Sequence, residues 1–478
     1  MKHEKKTDRQ ERIEGWHQEV LDEAKALVVG AGAIGNELLK NLALVGFGYV
    51  LVCDMDRIEE SNLSRTVLFN ESNLGEMKSE VAVRKYLEMN TADKARADVF
   101  VGNVCTELGT GVFNQVDLVI GCLDNLQARY EMNRRCSLVG KPFIDAGIAN
   151  LTANLTVVHS SETEPCWACM YSSKKAEETK SMVRSSCGIG AAAVRKSGKA
   201  PTTQPPSALV AGFQSNEVIK CLHAMKKESM PFDAGRHYIF NGWYNSFDRF
   251  KLVRKEECAD HRRYDRIDQT PISCDWTLRR TLEYVRENYG EGYFLNIEND
   301  NQYHVAGFVT TAKCRHCGKT IEVNRSMKEL KEDELYCEQC PHVPTNASEG
   351  EKLFYFYEGP EQEAIMDFTL SRLGIPPLHI LEFEPEDETR PVLALEMTAD
   401  LEKVMPLLPI TSFGHSLIHG ALAKANEYGI LGILMGMFDL TATGIKMCIR
   451  DRYIMYKIKA IKNMWKILPF MKSIWKNI

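Results

Sequence analysis

A glycine-rich run between two apolar segments constrains the fold of this chain more than any other feature. The letters VVGAGAIG begin in the apolar stretch 26–29 and lead into the amphipathic segment 36–45. This pattern predicts a buried parallel strand, a tight turn and a helix. Gly30, Gly32 and Gly35 would let backbone N–H groups approach a phosphate at the helix N-terminus. The turn therefore predicts a nucleotide site, although the same turn also forms without a ligand.

Polar residues after the next predicted strand indicate which nucleotide is bound. Residues 49–54 predict that strand, and Asp54 at its end suits a ribose hydroxyl. A second acid, an amide and two cations follow, namely Asp56, Asn62, Arg65 and Lys78. So many donors beyond the ribose suit a triphosphate. Asp124 follows the apolar segment 116–120, which places it at the carboxyl end of the sheet, and a carboxylate beside phosphates is a natural Mg²⁺ ligand.

The order and spacing of these residues resemble the adenylation domain of the ubiquitin-activating (E1) and ThiF/MoeB superfamily. The resemblance covers roughly the first 260 residues. It implies binding of ATP and Mg²⁺, and adenylation of the C-terminal carboxylate of a small ubiquitin-like or sulfur-carrier protein with release of pyrophosphate. By that match, Asp54 holds the ribose and Asp124 holds Mg²⁺. The phosphate ligands would be Asn62, Arg65 and Lys78, with Asp56 as a further nucleotide-binding candidate.

The resemblance also implies a homodimer. Members of the superfamily are dimers in which an N-terminal arginine reaches into the partner's site, and Arg9 fits that position best. A solvated charge on an N-terminal helix is the alternative interpretation of Arg9. None of the motifs above contains a histidine, which agrees with a reaction that needs cations and a metal instead of a proton relay.

Two groups of cysteines predict metal sites. Cys166 and Cys169 form one C-x-x-C pair, and its complement in this superfamily would be Cys258 with His261 in place of a fourth cysteine. Three thiolates and one imidazole make a closed tetrahedral Zn²⁺ site, whereas a redox pair is the alternative. The second group has the spacing of a zinc ribbon and consists of Cys314, Cys317, Cys337 and Cys340.

Cys187 stands apart because it has no C-x-x-C partner. It precedes a segment rich in Gly, Ala and Lys and then the run 201–206, which reads PTTQPP. In compact E1-like enzymes a catalytic cysteine lies in such a loop and takes the activated protein as a thioester. Nearby cations such as Arg184 would favour the thiolate. A free surface thiol is the alternative interpretation.

Composition limits the partners and the compartment. The chain has 478 residues, a net charge of −6 and 15 cysteines, so no general affinity for nucleic acid is expected. The first ten residues are charged and polar and do not form a secretion signal. We therefore expect a cytoplasmic protein with reduced thiols and no membrane partner.

Alternating strand and helix patterns predict an α/β fold, with a Rossmann-like, mostly parallel sheet and helices on both faces. We expect an adenylation domain over 1–264, a zinc-ribbon module over 265–350 and a small α+β unit over 351–412. The segment 413–478 is unassigned. Within it, Lys446–Arg452 back-translates to the end of a transposon adapter used in sequencing libraries. The residues that follow contain six lysines and no acid. We therefore expect 446–478 to be an assembly artefact.

Three other functions stay open at this point. The first is a relative that adenylates a small molecule or a tRNA group without a protein partner. The second is an NAD-dependent oxidoreductase, which explains the glycine loop and Asp54 but leaves Asn62, Arg65, Lys78 and Asp124 unexplained. The third is an inactive scaffold, and the complete set of phosphate-binding residues argues against it.

Overall fold

The computed structural model describes residues 5–93, 95–161, 163–171, 202–297, 307–314, 316–326, 330, 335–346 and 351–405. The chain divides into two units after Leu407, and every described residue belongs to the first. Cys187 and the unassigned C-terminal segment lie outside the described residues.

The first sheet has eight strands in the order β3-β2-β1-β4-β5-β6-β7-β8. Its strands are β1 (Lys25–Val29), β2 (Tyr49–Cys53), β3 (Arg96–Phe100), β4 (Leu118–Gly121), β5 (Phe143–Ala149), β6 (Thr152–Val158), β7 (Arg236–Asn241) and β8 (Ser246–Lys251). Strands β1 to β5 pair in parallel, whereas β6, β7 and β8 continue the sheet in antiparallel pairs. The predicted mostly parallel sheet is confirmed.

Helices cover this sheet because its central strands are apolar on both faces. The helices are α1 (Gln18–Asp22), α2 (Ala33–Val45), α3 (Lys78–Met89), α4 (Thr110–Gln115), α5 (Leu126–Val139) and α6 (Gln204–Lys227). Ala26 and Val28 of β1 join one core with residues of α2 and α6. Leu27, which points to the opposite face, is equally buried, and α5 packs against β4 and β5. Strands buried on both faces are typical of parallel sheets.

A second sheet follows, in the order β16-β10-β17-β18-β9. Its strands are β9 (Asp268–Thr270), β10 (Tyr293–Asn296), β16 (Tyr355–Phe356), β17 (Ile380–Pro385) and β18 (Leu393–Met397). Helix α7 (Leu278–Tyr289) packs against it through Leu278, Leu282 and Val285, which share a core with Phe383 and Leu395. A short helix, α8 (Leu401–Val404), ends the described chain.

The cysteine-rich strands form a third sheet, and their segment lies in the sequence between β10 and β16 of the second sheet. They are β11 (Phe308–Cys314), β12 (Thr320–Ser326), β13 (Tyr336–Cys337), β14 (Cys340–Asn346) and β15 (Lys352–Leu353). Strands before and after the insertion pair directly, since Leu295 lies opposite Phe356. The structure therefore differs from the expected boundary at residue 350, which cuts through one hydrogen-bonded sheet. Strand pairing over such sequence separation leaves no local signal.

The two sheets meet at helix α4. The carboxylate of Glu396 on β18 accepts hydrogen bonds from Asn114 Nδ2 at 2.8 Å and from Gln115 Nε2 at 2.5 Å. The backbone N–H of Gly111 donates to Leu378 O at 3.0 Å. Glu396 is fully buried, so these bonds fix the second sheet against the first.

Candidate functional site

The glycine turn joins β1 to α2 and has two different kinds of glycine. Gly30 has φ +99°, and a Cβ there would lie 2.5 Å from Cys122 O. A Cβ on Gly35 would lie 2.0 Å from Gly30 O, so the turn itself requires both residues. A Cβ on Gly32 would meet no atom within 4 Å. Packing within the described chain therefore does not require a glycine at this position. Gly32 is the N-cap residue of α2, and anions bind at helix N-termini.

The Asp54 carboxylate is hydrogen-bonded to the backbone of the glycine turn. Its Oδ2 accepts the backbone N–H of Ala31 at 2.7 Å, and its Oδ1 accepts the N–H of Asp56 at 2.8 Å. Burial raises the pKa of Asp54, although these two N–H groups favour the charged form. Each carboxylate oxygen has a second lone pair, so the group can still accept a hydroxyl.

Lys78 and Asp56 form an ion pair beside this turn. Lys78 Nζ lies 2.8 Å from Asp56 Oδ2, and the backbone N–H of Lys78 donates to Asp56 O at 3.0 Å. The Lys78 side chain is 12% exposed and that of Asp56 is 60% exposed. Because the acid is the more exposed partner, another anion can take its place beside the ammonium group.

Asn62 and Arg65 lie in the segment that follows β2. Asn62 is buried, and its Oδ1 accepts the backbone N–H of Glu59 at 3.0 Å, which caps a short 3₁₀ turn. An Arg65 guanidinium N–H donates to Ser61 O, and the arginine is partly exposed. In this structure both residues shape the segment, and their roles toward phosphate stay predictions.

Asp124 is exposed in the loop after β4. Strand β4 pairs in parallel with β1, with Gly121 opposite Val29, and the Cys122 N–H donates to Val29 O at 2.8 Å. Asn125 then begins α5 by accepting the N–H of Ala128 at 2.8 Å. The carboxyl ends of β1, β2 and β4 thus bring the glycine turn, Asp54 and Asp124 to one edge of the sheet, where ligands of such sheets bind.

Two buried amides hold this edge together and were missed by the sequence motifs. Asn36 donates to Ala31 O at 2.7 Å and accepts the N–H of Leu68 at 2.9 Å, which joins the glycine turn to the segment after Arg65. Gln214 of α6 donates to Gly121 O at 2.9 Å and to Ile144 O at 3.0 Å. The available signal was a polar residue on an otherwise apolar helix face.

Arg129 and Asp145 form a second polar cluster beneath the Asp124 loop. Arg129 Nη2 donates to Leu123 O at 2.5 Å and to Ala146 O at 3.3 Å. Its Nε lies 3.6 Å from Asp145 Oδ2. Burial raises the pKa of Asp145 to about 6, although Arg129 and the indole N–H of Trp167 favour its charged form.

The predicted group of Cys166, Cys169, Cys258 and His261 is brought together, with one ligand atom of each within 4.8 Å of the others. Cys166 Sγ lies 3.8 Å from Cys169 Sγ and 3.6 Å from Cys258 Sγ, and Cys169 Sγ lies 3.1 Å from His261 Nε2. Sulfur atoms about 2.3 Å from one Zn²⁺ ion are about 3.8 Å apart in a tetrahedron. The donor set and its spacing therefore fit that ion.

The four ribbon cysteines are also brought together. One sulfur atom each from Cys314, Cys317, Cys337 and Cys340 lies within 4.8 Å of the others. The Cys317–Cys337 sulfur distance is 3.7 Å, which again fits tetrahedral thiolate ligation.

Arg9 is not part of the assembled edge. It is exposed and precedes a 3₁₀ turn at Gln10–Arg12. Among the described residues, no hydrogen bond or ion pair of its side chain is found. Its predicted contact would lie in a partner subunit, and this stays a prediction.

The fold defines an α/β protein, and this edge is the place where sheets of this kind bind ligands. A model of the ThiF family matches residues 7–260, and the chain belongs to this family. SUMO-activating enzyme subunit 2 of Dictyostelium discoideum is 40% identical over 146 residues, which are 30% of this chain and 22% of that protein. Sulfur carrier protein adenylyltransferase of Thermus thermophilus is 34% identical over 158 residues, which are 32% of this chain and 58% of that protein. The chain thus spans less than two thirds of these relatives.

Among solved structures, a crystal structure of E. coli MccB with ATP is 22% identical and has a TM-score of 0.42. The match covers 51% of this chain and 68% of the MccB chain.

A second family model, described as SpoVAC/SpoVAEB sporulation membrane protein, matches residues 400–458. Only 400–405 of that match are described. No helix within the described residues is long and apolar enough to cross a membrane. The expected lack of a membrane partner and the expected artefact at 446–478 stay predictions.

Proposed function

We propose that this chain is an ATP-dependent activating enzyme that adenylates the C-terminal carboxylate of a small ubiquitin-like or sulfur-carrier protein. The observation that carries the proposal is the sheet edge where the glycine turn, Asp54 and Asp124 meet. Membership of the ThiF family supports it. The names of the relatives, a SUMO-activating enzyme subunit and a sulfur carrier protein adenylyltransferase, agree with it.

The chain's own residues would have separate roles in this reaction. An oxygen of the partner's carboxylate attacks the α-phosphorus, a new P–O bond forms, and pyrophosphate leaves with the electrons of the broken bond. Negative charges approach each other in that step, so cations stabilise it. Lys78 would exchange Asp56 for a phosphate oxygen, with Asn62 and Arg65 as further donors. Asp54 would accept a ribose hydroxyl. Mg²⁺ at Asp124 would supply further neutralisation of the phosphates.

We further propose that both cysteine groups hold Zn²⁺ with structural roles. Each offers four ligands, either four thiolates or three thiolates and one imidazole, and no open position, which is typical of structural sites. We also propose a homodimer in which Arg9 reaches the partner's nucleotide. Cys187 would then take the activated protein as a thioester with release of AMP.

Pyrophosphate exchange into ATP tests the adenylation. We expect exchange that requires both the chain and a partner ending in Gly-Gly, and that is lost when the two glycines are removed. Asp124→Asn should reduce it at least a hundredfold, whereas Asp248→Asn, an exposed acid on the edge strand β8, should leave it unchanged. Exchange that persists without any protein partner would instead indicate adenylation of a small molecule.

A thiol-sensitive adduct tests the role of Cys187. After incubation with ATP and partner, we expect an adduct that is absent in Cys187→Ala and present in Cys337→Ala, which removes a ligand of the ribbon group instead. Circular dichroism must first show that both variants are folded. An adduct that survives in folded Cys187→Ala contradicts the thioester assignment.

A further inference from the structure

Trp167 lies in sequence between two metal-ligand candidates, and its side chain contacts strand β5 of the first sheet. Its neighbours in the chain are Cys166 and Ala168, and its side chain is almost fully buried. The indole N–H donates to Asp145 Oδ2 at 2.9 Å. The ring packs edge-on against Tyr130, with centroids 5.2 Å apart. The position of the indole is therefore set by the backbone that carries the thiolates.

Asp145 passes this contact on to the strand ends. It is fully buried on β5 and lies opposite Gly121 at the end of β4. A Cβ on Gly121 would lie 2.5 Å from Asp145 Oδ1, so the carboxylate is in close contact with the turn that precedes Asp124. Its other neighbour is Arg129, with Nε at 3.6 Å from Oδ2.

Arg129 completes the connection to the Asp124 loop. Its Nη2 donates to Leu123 O, the carbonyl directly before Asp124. A Cβ on Gly147 would lie 2.5 Å from the same Nη2, which shows how little room the guanidinium has to move. Among the described residues, the Leu123 carbonyl is thus held by a group that is itself positioned by Asp145.

A second contact ties the same helix to both halves of the metal-ligand group. Asn133 of α5 accepts the backbone N–H of Trp167 at 2.8 Å and donates to Asp260 Oδ2 at 3.2 Å. Asp260 lies between Cys258 and His261. Assembly of the four ligands therefore holds Asn133 through two hydrogen bonds, and the same helix carries Arg129.

We infer that Trp167, Asp145 and Arg129 are positioning residues through which the metal at Cys166, Cys169, Cys258 and His261 sets the Asp124 loop. Loss of the metal releases the Trp167 backbone and loosens the loop, although no nucleotide-binding residue is changed. The part of this inference that concerns ATP and Mg²⁺ rests on the proposed function. The part that concerns the loop does not.

Hydrogen exchange of the backbone amides of residues 122–125, followed by mass spectrometry without nucleotide, tests the loop directly. Trp167→Phe keeps a ring but removes the N–H donor, and we expect at least fivefold faster exchange with the metal content unchanged. Trp276→Phe, a matched change at a ring that packs edge-on against Tyr284 of helix α7, should leave this exchange unchanged. If Trp167→Phe retains metal and exchanges like wild type, the inference is wrong.

Arg129→Met keeps the test decisive if Trp167→Phe loses metal or fails to fold, because Arg129 does not contact the ligand group. We expect fast exchange in this variant, and chelation of the metal should add little to it, whereas chelation of wild type should accelerate exchange at least fivefold. If chelation accelerates exchange in Arg129→Met by the same factor as in wild type, the two changes act independently and the inference is wrong.

Calorimetry separates this inference from the proposed function. With ATP titrated at several Mg²⁺ concentrations, Arg129→Met should need severalfold more Mg²⁺ than wild type for equal ATP affinity. An ATP affinity that does not differ between the two proteins at any Mg²⁺ concentration contradicts this part. If wild type binds no ATP at all, the proposed function fails, while the hydrogen-exchange result still decides the link between metal and loop.

Discussion

Substitution of Gly32 by alanine separates nucleotide binding from folding. Gly32 has φ −76° and ψ −151°, a conformation open to other residues, and its missing Cβ faces no atom within 4 Å. A compatible Gly-to-Ala change removes freedom from the unfolded chain and stabilises the folded state by about 0.4–1 kcal/mol. For a domain of this size we expect the unfolding temperature to rise by about 1–4 °C.

The same methyl group would occupy the open side of the turn, where a phosphate must approach the backbone. We expect ATP to bind at least tenfold more weakly to Gly32→Ala, which corresponds to about 1.4 kcal/mol of binding free energy. The assay is calorimetric titration with ATP and Mg²⁺, together with thermal unfolding without nucleotide. Normal ATP affinity in a folded Gly32→Ala protein would refute the assignment of the open side to phosphate.

Gly35→Ala is the matched control for the same chemical change. Its Cβ would lie 2.0 Å from Gly30 O, a backbone atom that cannot rotate away. We expect the free energy of unfolding to fall by about 1–3 kcal/mol, because overpacking forces backbone shifts. The two alanines should therefore act in opposite directions on stability, and equal effects would contradict this reading of the turn.

Two further predictions concern stability, and a third concerns the metal of the ribbon group. Asn36→Ala should lower the free energy of unfolding by about 2–4 kcal/mol, because Ala31 O and the Leu68 N–H lose their buried partner. Urea titration measures this change, and a decrease below about 0.5 kcal/mol would contradict the prediction. Asp145 has its pKa raised from 3.8 to about 6, so the folded state retains a proton that the unfolded state loses. Stability should therefore fall by about 3 kcal/mol as pH rises from about 4 to 6, and Asp145→Asn should flatten that slope. Cys337→Ala should release one zinc equivalent by elemental analysis and leave ATP affinity unchanged, and weaker ATP binding would contradict the structural role of the ribbon.

The sequence motifs predicted the nucleotide edge because each part depends on local pattern and one topological rule. An apolar strand, a glycine turn and a helix are contiguous, and Asp54 and Asp124 directly follow strands. Parallel strands end at the same edge, so residues far apart in sequence could be placed together from the sequence alone. The ribbon was predictable for a related reason, since its ligand spacing is itself the signal.

The supporting contacts could not be predicted because they join distant segments through single side chains. Gln214 bonds to carbonyl groups of Gly121 and Ile144, and no periodicity marks such a partner. The second sheet was missed as a unit because β9 and β18 pair in parallel although Thr270 and Met397 are far apart in sequence. A cysteine-rich insertion between its strands further separates residues that lie side by side in the fold.

The buried carboxyl group of Glu396 has a consequence for how the molecule can move. It accepts two amide donors from α4, at a place that water does not reach. Rotation of the second sheet away from α4 would leave the buried Glu396 carboxylate without hydrogen-bond donors, at a cost of several kcal/mol. We therefore expect the two sheets to tumble as one rigid body in solution. In the proposed reaction, any closure over the nucleotide would then come from loops, and the protein partner would insert its tail into an edge that is already assembled.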